Sequence, residues 1–231
     1  MTANCSLRRC RTWFLRGLAL DWQSVMSLVV ISGCDGAGKS TIARALSARS
    51  AVYRRAHWSD FASRLGIEHA AASLIQDMKP VTRALFLLFL NWGLHEQVIK
   101  PMLGHGHVVL CESYYFKFLA KERVLQLAEL ELIEGLGLLP SPDLIVDVSI
   151  RPEVAFERIA TSLNEYETFT GMANWDGFRR FQERVRYELD AIVSAAGVPV
   201  LTVDGSNEVG LDFSYIHDWI SDHLETGPAE L

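Results

Sequence analysis

Residues 28–40 read LVVISGCDGAGKS: an apolar run suited to a buried strand, then a glycine-rich turn that ends on Lys39 and Ser40. Positions Gly33 to Ser40 fit the spacing G-x-x-x-x-G-K-[ST], and a helical stretch over 39–48 follows. Glycines at these places let backbone N–H groups converge on phosphate oxygens, and the N-terminus of the helix adds its partial positive charge. The cradle then consists of Gly33, Asp35, Gly36, Ala37, Gly38, Lys39, Ser40 and Thr41, with Lys39 reaching the β and γ phosphates and Ser40 offering a hydroxyl to magnesium. A strand before the loop and a helix after it is the context this motif requires.

Outward from the loop, short β-branched runs alternate with helical stretches, the pattern of βαβ units around a parallel sheet. Strands are expected at 28–32, 50–54, 107–111, 143–148 and 198–203, and helices at 39–48, 80–102, 115–135, 152–162, 175–196 and 207–224. The fold class is therefore α/β, one domain with a parallel sheet flanked by helices. Residues 163–176, LNEYETFTGMANWD, read either as a lid or flap or as an ordinary surface loop.

The run VVLCESYYFK at 108–117 breaks from a strand into an acid. Ligands of open parallel sheets bind at the carboxyl ends of the strands, so Glu112 faces the same crevice as the glycine-rich loop. It either holds magnesium, directly or through water, or orients the attacking group; the plainer reading is a cap for the next helix. Lys117 and Lys121 follow four residues apart, sharing one face of that helix.

A net charge of −6 argues against a general nucleic-acid binder. Four cysteines without CxxC or Cys/His spacing point to neither a zinc site nor a disulfide framework, and a reducing cytoplasm suits them. ALFLLFL at 84–90 falls far short of the roughly 20 residues that cross a bilayer, so no membrane partner is expected. Residues 1–25 carry Arg8, Arg9, Arg11 and Arg16 with no acid before Asp21. They read as an N-terminal extension of three possible kinds: a targeting leader, an upstream stretch of reading frame before Met26, or a helix packed on the domain of residues 26–231.

Three stretches resemble the thymidylate kinases among the nucleoside monophosphate kinases: GCDGAGKST (33–41), IKPMLGHGHVVLCESYY (99–115) and PSPDLIVDVSIRPEVAFERI (140–159). The resemblance implies a P-loop NTPase fold with five parallel strands, ATP with Mg2+, and phosphoryl transfer to a nucleoside monophosphate, with a homodimer as the expected assembly. It sets Asp35 at the acceptor sugar, Arg54 and Arg55 at the acceptor phosphate, and TVDGSN (202–207) near the adenine. Phe86, Asn91, Tyr114 and Lys117 fall on the acceptor side.

Several positions depart from the family. Ser113 replaces the Arg of DRY, AKE at 120–122 replaces AYQ, and Asn91 stands where an Arg is usual, with Leu87 in place of a stacking Phe. The flap from 163 to 178 holds no Lys or Arg. Positive charge must come from elsewhere, and Lys117, Lys121, Arg158, Arg179 and Arg180 are the candidates. Lys39, Glu112, Lys121 and Arg158 are accordingly assigned to catalysis, and Ser40 and Glu112 to the metal. A nucleotide kinase acting on dTMP or a related deoxynucleotide is the first reading. A kinase of a nucleoside or modified nucleotide is the alternative, and a non-catalytic nucleotide-binding regulator the third.

Overall fold

A computed structural model describes residues 26–128, 139–159, 168, 174–207 and 211–225. The N-terminal extension and most of the expected lid lie outside these residues. Five strands form one sheet: β1 Ser27–Gly33, β2 Tyr53–Ala56, β3 Val108–Glu112, β4 Leu144–Ser149 and β5 Val200–Asp204. Their order is β2-β3-β1-β4-β5, and every pair is parallel.

β1 is central and buried along its whole length, so both of its faces must be apolar. Successive side chains point to opposite faces. Leu28 and Val30 enter a core shared with helices α4 (Pro80–Leu94), α6 (Phe116–Val124) and α8 (Trp175–Ala195), while Val29 and Ile31 pack against α1 (Lys39–Arg49) and α9 (Phe213–Glu225). Four further α-helices are described: α2 Trp58–Arg64, α3 Glu68–Asp77, α5 Lys100–Gly104 and α7 Pro152–Ile159. Among the described residues no helix is long and apolar enough to cross a membrane.

The strand expected at 50–54 lies instead at Tyr53–Ala56. Ala51 and Val52 sit in the exposed turn before it, and an edge strand tolerates Arg54 and Arg55 because only part of its surface is covered. Helices α2 and α3 were not anticipated. His57 caps α2 in a capping box with Asp60, an arrangement hard to read because histidine stands where Ser or Thr is usual.

The helix expected over 80–102 is broken by a π turn at His95–Ile99, where Lys100 N–H bonds to the His95 carbonyl just ahead of Pro101. Proline brings no N–H of its own, so the ladder shifts register at that point. Helix α6 stops at Val124 rather than 135, because Gln126 takes a positive φ of 56°. Helix α9 begins at 213, not 207, since Asp212 accepts the N–H groups of Ser214 and Tyr215.

Helices α4 and α6 are locked by a buried ion pair in which Arg83 donates from Nε and Nη2 to the two carboxylate oxygens of Glu122, each at 2.8 Å. Glu122 has no exposed surface. Removing Arg83 takes both of these charge-assisted hydrogen bonds from a carboxylate with no exposed surface. Arg83→Met should therefore lower the unfolding free energy by about 3–5 kcal/mol, read by urea denaturation; a loss below about 1 kcal/mol would mean that the pair behaves like an exposed one.

Candidate active site

The loop after β1 is shaped by contacts that exclude side chains. Gly33 has φ of 144°, and a Cβ there would lie 2.6 Å from the Val148 carbonyl; Gly36 has φ of 74°, with a Cβ 2.8 Å from the Ala155 carbonyl. Only glycine meets both demands. α1 then starts at Lys39. Lys39 donates from Nζ to the Gly33 carbonyl at 3.0 Å and to the Cys34 carbonyl at 2.6 Å. Burial and the neighbouring Lys117 lower its pKa to about 8, against the pull of Asp35. Its ammonium is thus held in the centre of the loop, where an incoming phosphate can take over the carbonyl bonds.

Glu112 ends β3 beside that loop, paired in register with Ile31. The chain leaves the strand through two non-glycine residues of positive φ, Ser113 at 65° and Tyr114 at 44°, a conformation costing of the order of 1–3 kcal/mol per residue. Ser113 N–H bonds the Ile31 carbonyl at 2.9 Å, which holds the turn. The Glu112 carboxylate is buried and accepts from Ser40 Oγ on one oxygen and from Arg55 Nη2, at 3.0 Å, on the other. Three residues from three elements converge here: Ser40 opening α1, Glu112 closing β3, and Arg55 on β2.

A second charged cluster surrounds Asp35. Lys117 Nζ bonds one carboxylate oxygen, Lys121 Nζ stands 3.0 Å from the other, and Gln182 Nε2 of α8 is 3.4 Å from that same oxygen. Burial alone would raise the Asp35 pKa, yet Lys117, Lys121 and Lys39 outweigh it and hold the carboxyl well below the usual range. The two lysines do share one helix face, and the next residue, Glu122, turns to α4. Arg158 of α7 donates to the Gly36 carbonyl at 3.1 Å, bringing it against the loop from the opposite side.

Other expected residues are placed elsewhere. Arg54 folds back onto the carbonyls of Ala51 and Tyr53, away from Glu112, because neighbouring residues of a strand face opposite sides. Asn91 is buried and donates to the Leu87 carbonyl within its own helix. Tyr114 is buried with its hydroxyl 3.1 Å from His95 Nδ1 of the π turn, and burial pushes its pKa up. Phe86 packs half-buried against the core. Sequence reasoning missed His57, Ser59 and Asp60, which line the cleft of about 260 Å³ with Ser40, Arg55 and Glu112, and it missed Gln182. The capping pattern of His57 and Asp60 was the only sequence signal for the first three.

Parallel strands that deliver a glycine-rich turn and a carboxylate to one crevice define the P-loop class of phosphoryl-transfer proteins. The profile of the family described as thymidylate kinase matches residues 31–209. A thymidylate kinase of Verminephrobacter eiseniae is 29% identical over 160 residues, covering 61% of this chain and 69% of its own length. One from Xylella fastidiosa is 26% identical over 181 residues, with 74% of this chain and 82% of that protein covered. Among solved structures, thymidylate kinase from Ehrlichia chaffeensis superposes with a TM-score of 0.57 at 15% identity, covering 86% of this chain and 98% of that one. The Candida albicans enzyme gives 0.61 at 18% identity, with 87% and 91% covered. The chain belongs to the thymidylate kinase family.

The Asp35 cluster makes a pH test possible. A carboxyl whose folded pKa is depressed stabilises the fold above its unfolded pKa, about 4, and that contribution is lost as the pH falls through the folded value. In a Lys117→Met/Lys121→Met variant only Lys39 of the three opposing lysines remains, the folded pKa of Asp35 rises, and less stability is lost on acidification. The gap in unfolding free energy between wild type and variant should therefore narrow between about pH 6 and pH 3. A constant or widening gap in urea titrations would show that the lysines do not hold this carboxylate ionised.

Proposed function

We propose that this protein transfers the γ-phosphoryl group of ATP to dTMP, giving dTDP and ADP. The convergence of Ser40, Glu112 and Arg55 beside the Lys39 loop carries the reading. An oxygen of the acceptor phosphate attacks the γ-phosphorus, the bond from that phosphorus to the β–γ bridging oxygen breaks, and ADP leaves. Such a transfer needs alignment and charge neutralisation more than covalent chemistry.

Lys39 exchanges its two carbonyl bonds for oxygens of the β and γ phosphates. Arg55 sits on the acceptor side, steadied by Glu112. Arg158, already against the Gly36 carbonyl, approaches the loop from the α7 side and supplies positive charge there. Asp35, held ionised by Lys117 and Lys121, offers a fixed acceptor for a sugar hydroxyl. The Ser40 hydroxyl and the Glu112 carboxylate suit magnesium, which takes few protein oxygens and fills its shell with phosphates and water. Ser40 and Glu112 would hold it there, and its charge would offset the negative charge of the phosphates.

One observation favours the alternative acceptor. Lys121, where relatives have Tyr, reaches Asp35 directly, so the sugar-facing end of the site differs from the family pattern. A nucleoside or modified nucleotide fits this second reading. Purified protein with Mg-ATP should form ADP in response to dTMP, and Lys39→Ala should reduce turnover to background. Turnover with another nucleoside monophosphate or nucleoside alone would move the assignment to the alternative; ADP formation unaffected by Lys39→Ala would remove the loop from the reaction.

A homodimer and a reducing, cytoplasmic setting belong to the same proposal. Cys34 and Cys111 are buried free thiols, which suits that compartment. On α4, Val81, Leu85, Phe89 and Trp92 are 38, 51, 49 and 37 % exposed at helical spacing, an apolar stripe fit to meet its own copy. Leu85→Asp/Phe89→Asp should give a monomer by light scattering where wild type is dimeric; an unchanged mass would exclude this face.

A further inference from the structure

The cleft of about 260 Å³ has two walls. Ser40 and Glu112 form the one nearest the phosphate loop, and the connection from β2 to α2, with Arg55, His57, Ser59 and Asp60, forms the other. It opens on the β2 and β3 side of the loop. On the other side Gly205 is pressed against the Ala37 carbonyl, leaving no room even for a Cβ. This cleft therefore offers a place beside the loop for a group that receives phosphate.

Its charge is poorly matched to an anion unless more than Arg55 contributes. Glu112 takes one bond from Arg55, and Asp60 turns its Oδ2 to the His57 backbone N–H at 2.8 Å. The ring of His57 is fixed by the same short segment. Its Nδ1 accepts the Ser59 backbone N–H at 3.4 Å and lies 2.8 Å from Ser59 Oγ. A ring nitrogen accepting a backbone N–H carries no proton, so in the neutral imidazole the proton sits on Nε2. Burial lowers the His57 pKa, with Lys117 and Lys39 in the same sense and Glu112 and Asp60 opposing. The neutral, single-tautomer ring is thus the state the surroundings select.

Capping alone does not explain this residue. Ser, Thr, Asp and Asn cap helices better, and histidine is an uncommon choice. Local preference broken beside a functional cleft marks a residue retained for another task.

We infer that His57 is an acceptor-binding residue, its Nε2–H donating to the phosphate of the nucleoside monophosphate beside the Arg55 guanidinium. The inference rests on the phosphoryl-transfer reading above for the identity of the acceptor. Asp60 and Ser59 are then positioning residues that set the tautomer and the angle of the ring.

Two substitutions separate capping from binding. Asparagine places an amide near the position of Nδ1, keeping the cap and losing the donor; glutamine extends its amide towards the position of Nε2, keeping the donor and weakening the cap. His57→Asn should keep the wild-type melting temperature while weakening dTMP about tenfold or more, in calorimetric Kd and in KM, with KM for ATP unchanged. His57→Gln should melt lower yet bind dTMP within a few-fold of wild type. Normal dTMP affinity in the asparagine variant, or parallel losses for ATP and dTMP, would overturn the inference. So would a wild-type protein that does not bind dTMP at all. Wild type that binds dTMP without turnover would instead sink the proposed reaction, and the Kd comparison would still decide the role of His57.

Discussion

The hydrogen bond from Ser40 to Glu112 spans the first turn of α1 and the last residue of β3, and most of the site hangs on it. It exists only because β1 and β3 run parallel in a register that sets Ile31 against Glu112. A slip of one residue would turn Glu112 to the opposite face of the sheet. The same register lets the Ile31 carbonyl hold Ser113, so the strained turn after the strand is anchored to the strand that launches the phosphate loop. Strand pairing, a local and repetitive interaction, thereby positions two groups 72 residues apart.

Charge is buried around that axis, but in matched sets. Asp35 meets two lysines, Glu112 meets Arg55, Arg83 meets Glu122, and Asp147 meets Arg186. Each set offsets a desolvation cost that would otherwise neutralise or expel its members. α6 takes part in two of them, through Lys117 and Lys121 towards the loop and through Glu122 towards α4. The helix that follows β3 is therefore tied electrostatically both to the glycine-rich loop and to the helix layer. In this arrangement Lys121 joins the Asp35 cluster and Glu122 ties α6 to α4, so neither is idle surface.

Much of this was legible in the sequence. The glycine spacing at 33–40, the apolar run before it and the acid closing β3 each obey strong local rules, and they led to the parallel sheet and the crevice. The shared face of Lys117 and Lys121 followed from helical periodicity. Less legible were features whose cause is remote. The strand at Tyr53–Ala56 carries two arginines because it lies at an edge, a fact known only once the strands are ordered. The early end of α6 turns on one left-handed residue, Gln126, of a type with no preference for that conformation.

By itself the sequence determined the loop, its strand and helix, and the kind of chemistry a lysine and serine at that spacing can perform, because backbone geometry and phosphate binding depend on neighbours in the chain. Tertiary structure alone decided which of the candidate cations meet which carboxylates. Arg55 and not Arg54 reaches Glu112, the lysines close on Asp35, and His57 enters the cleft wall. Those choices are settled by strand order and the cost of burying unpaired charge, neither of which is carried by spacing along the chain.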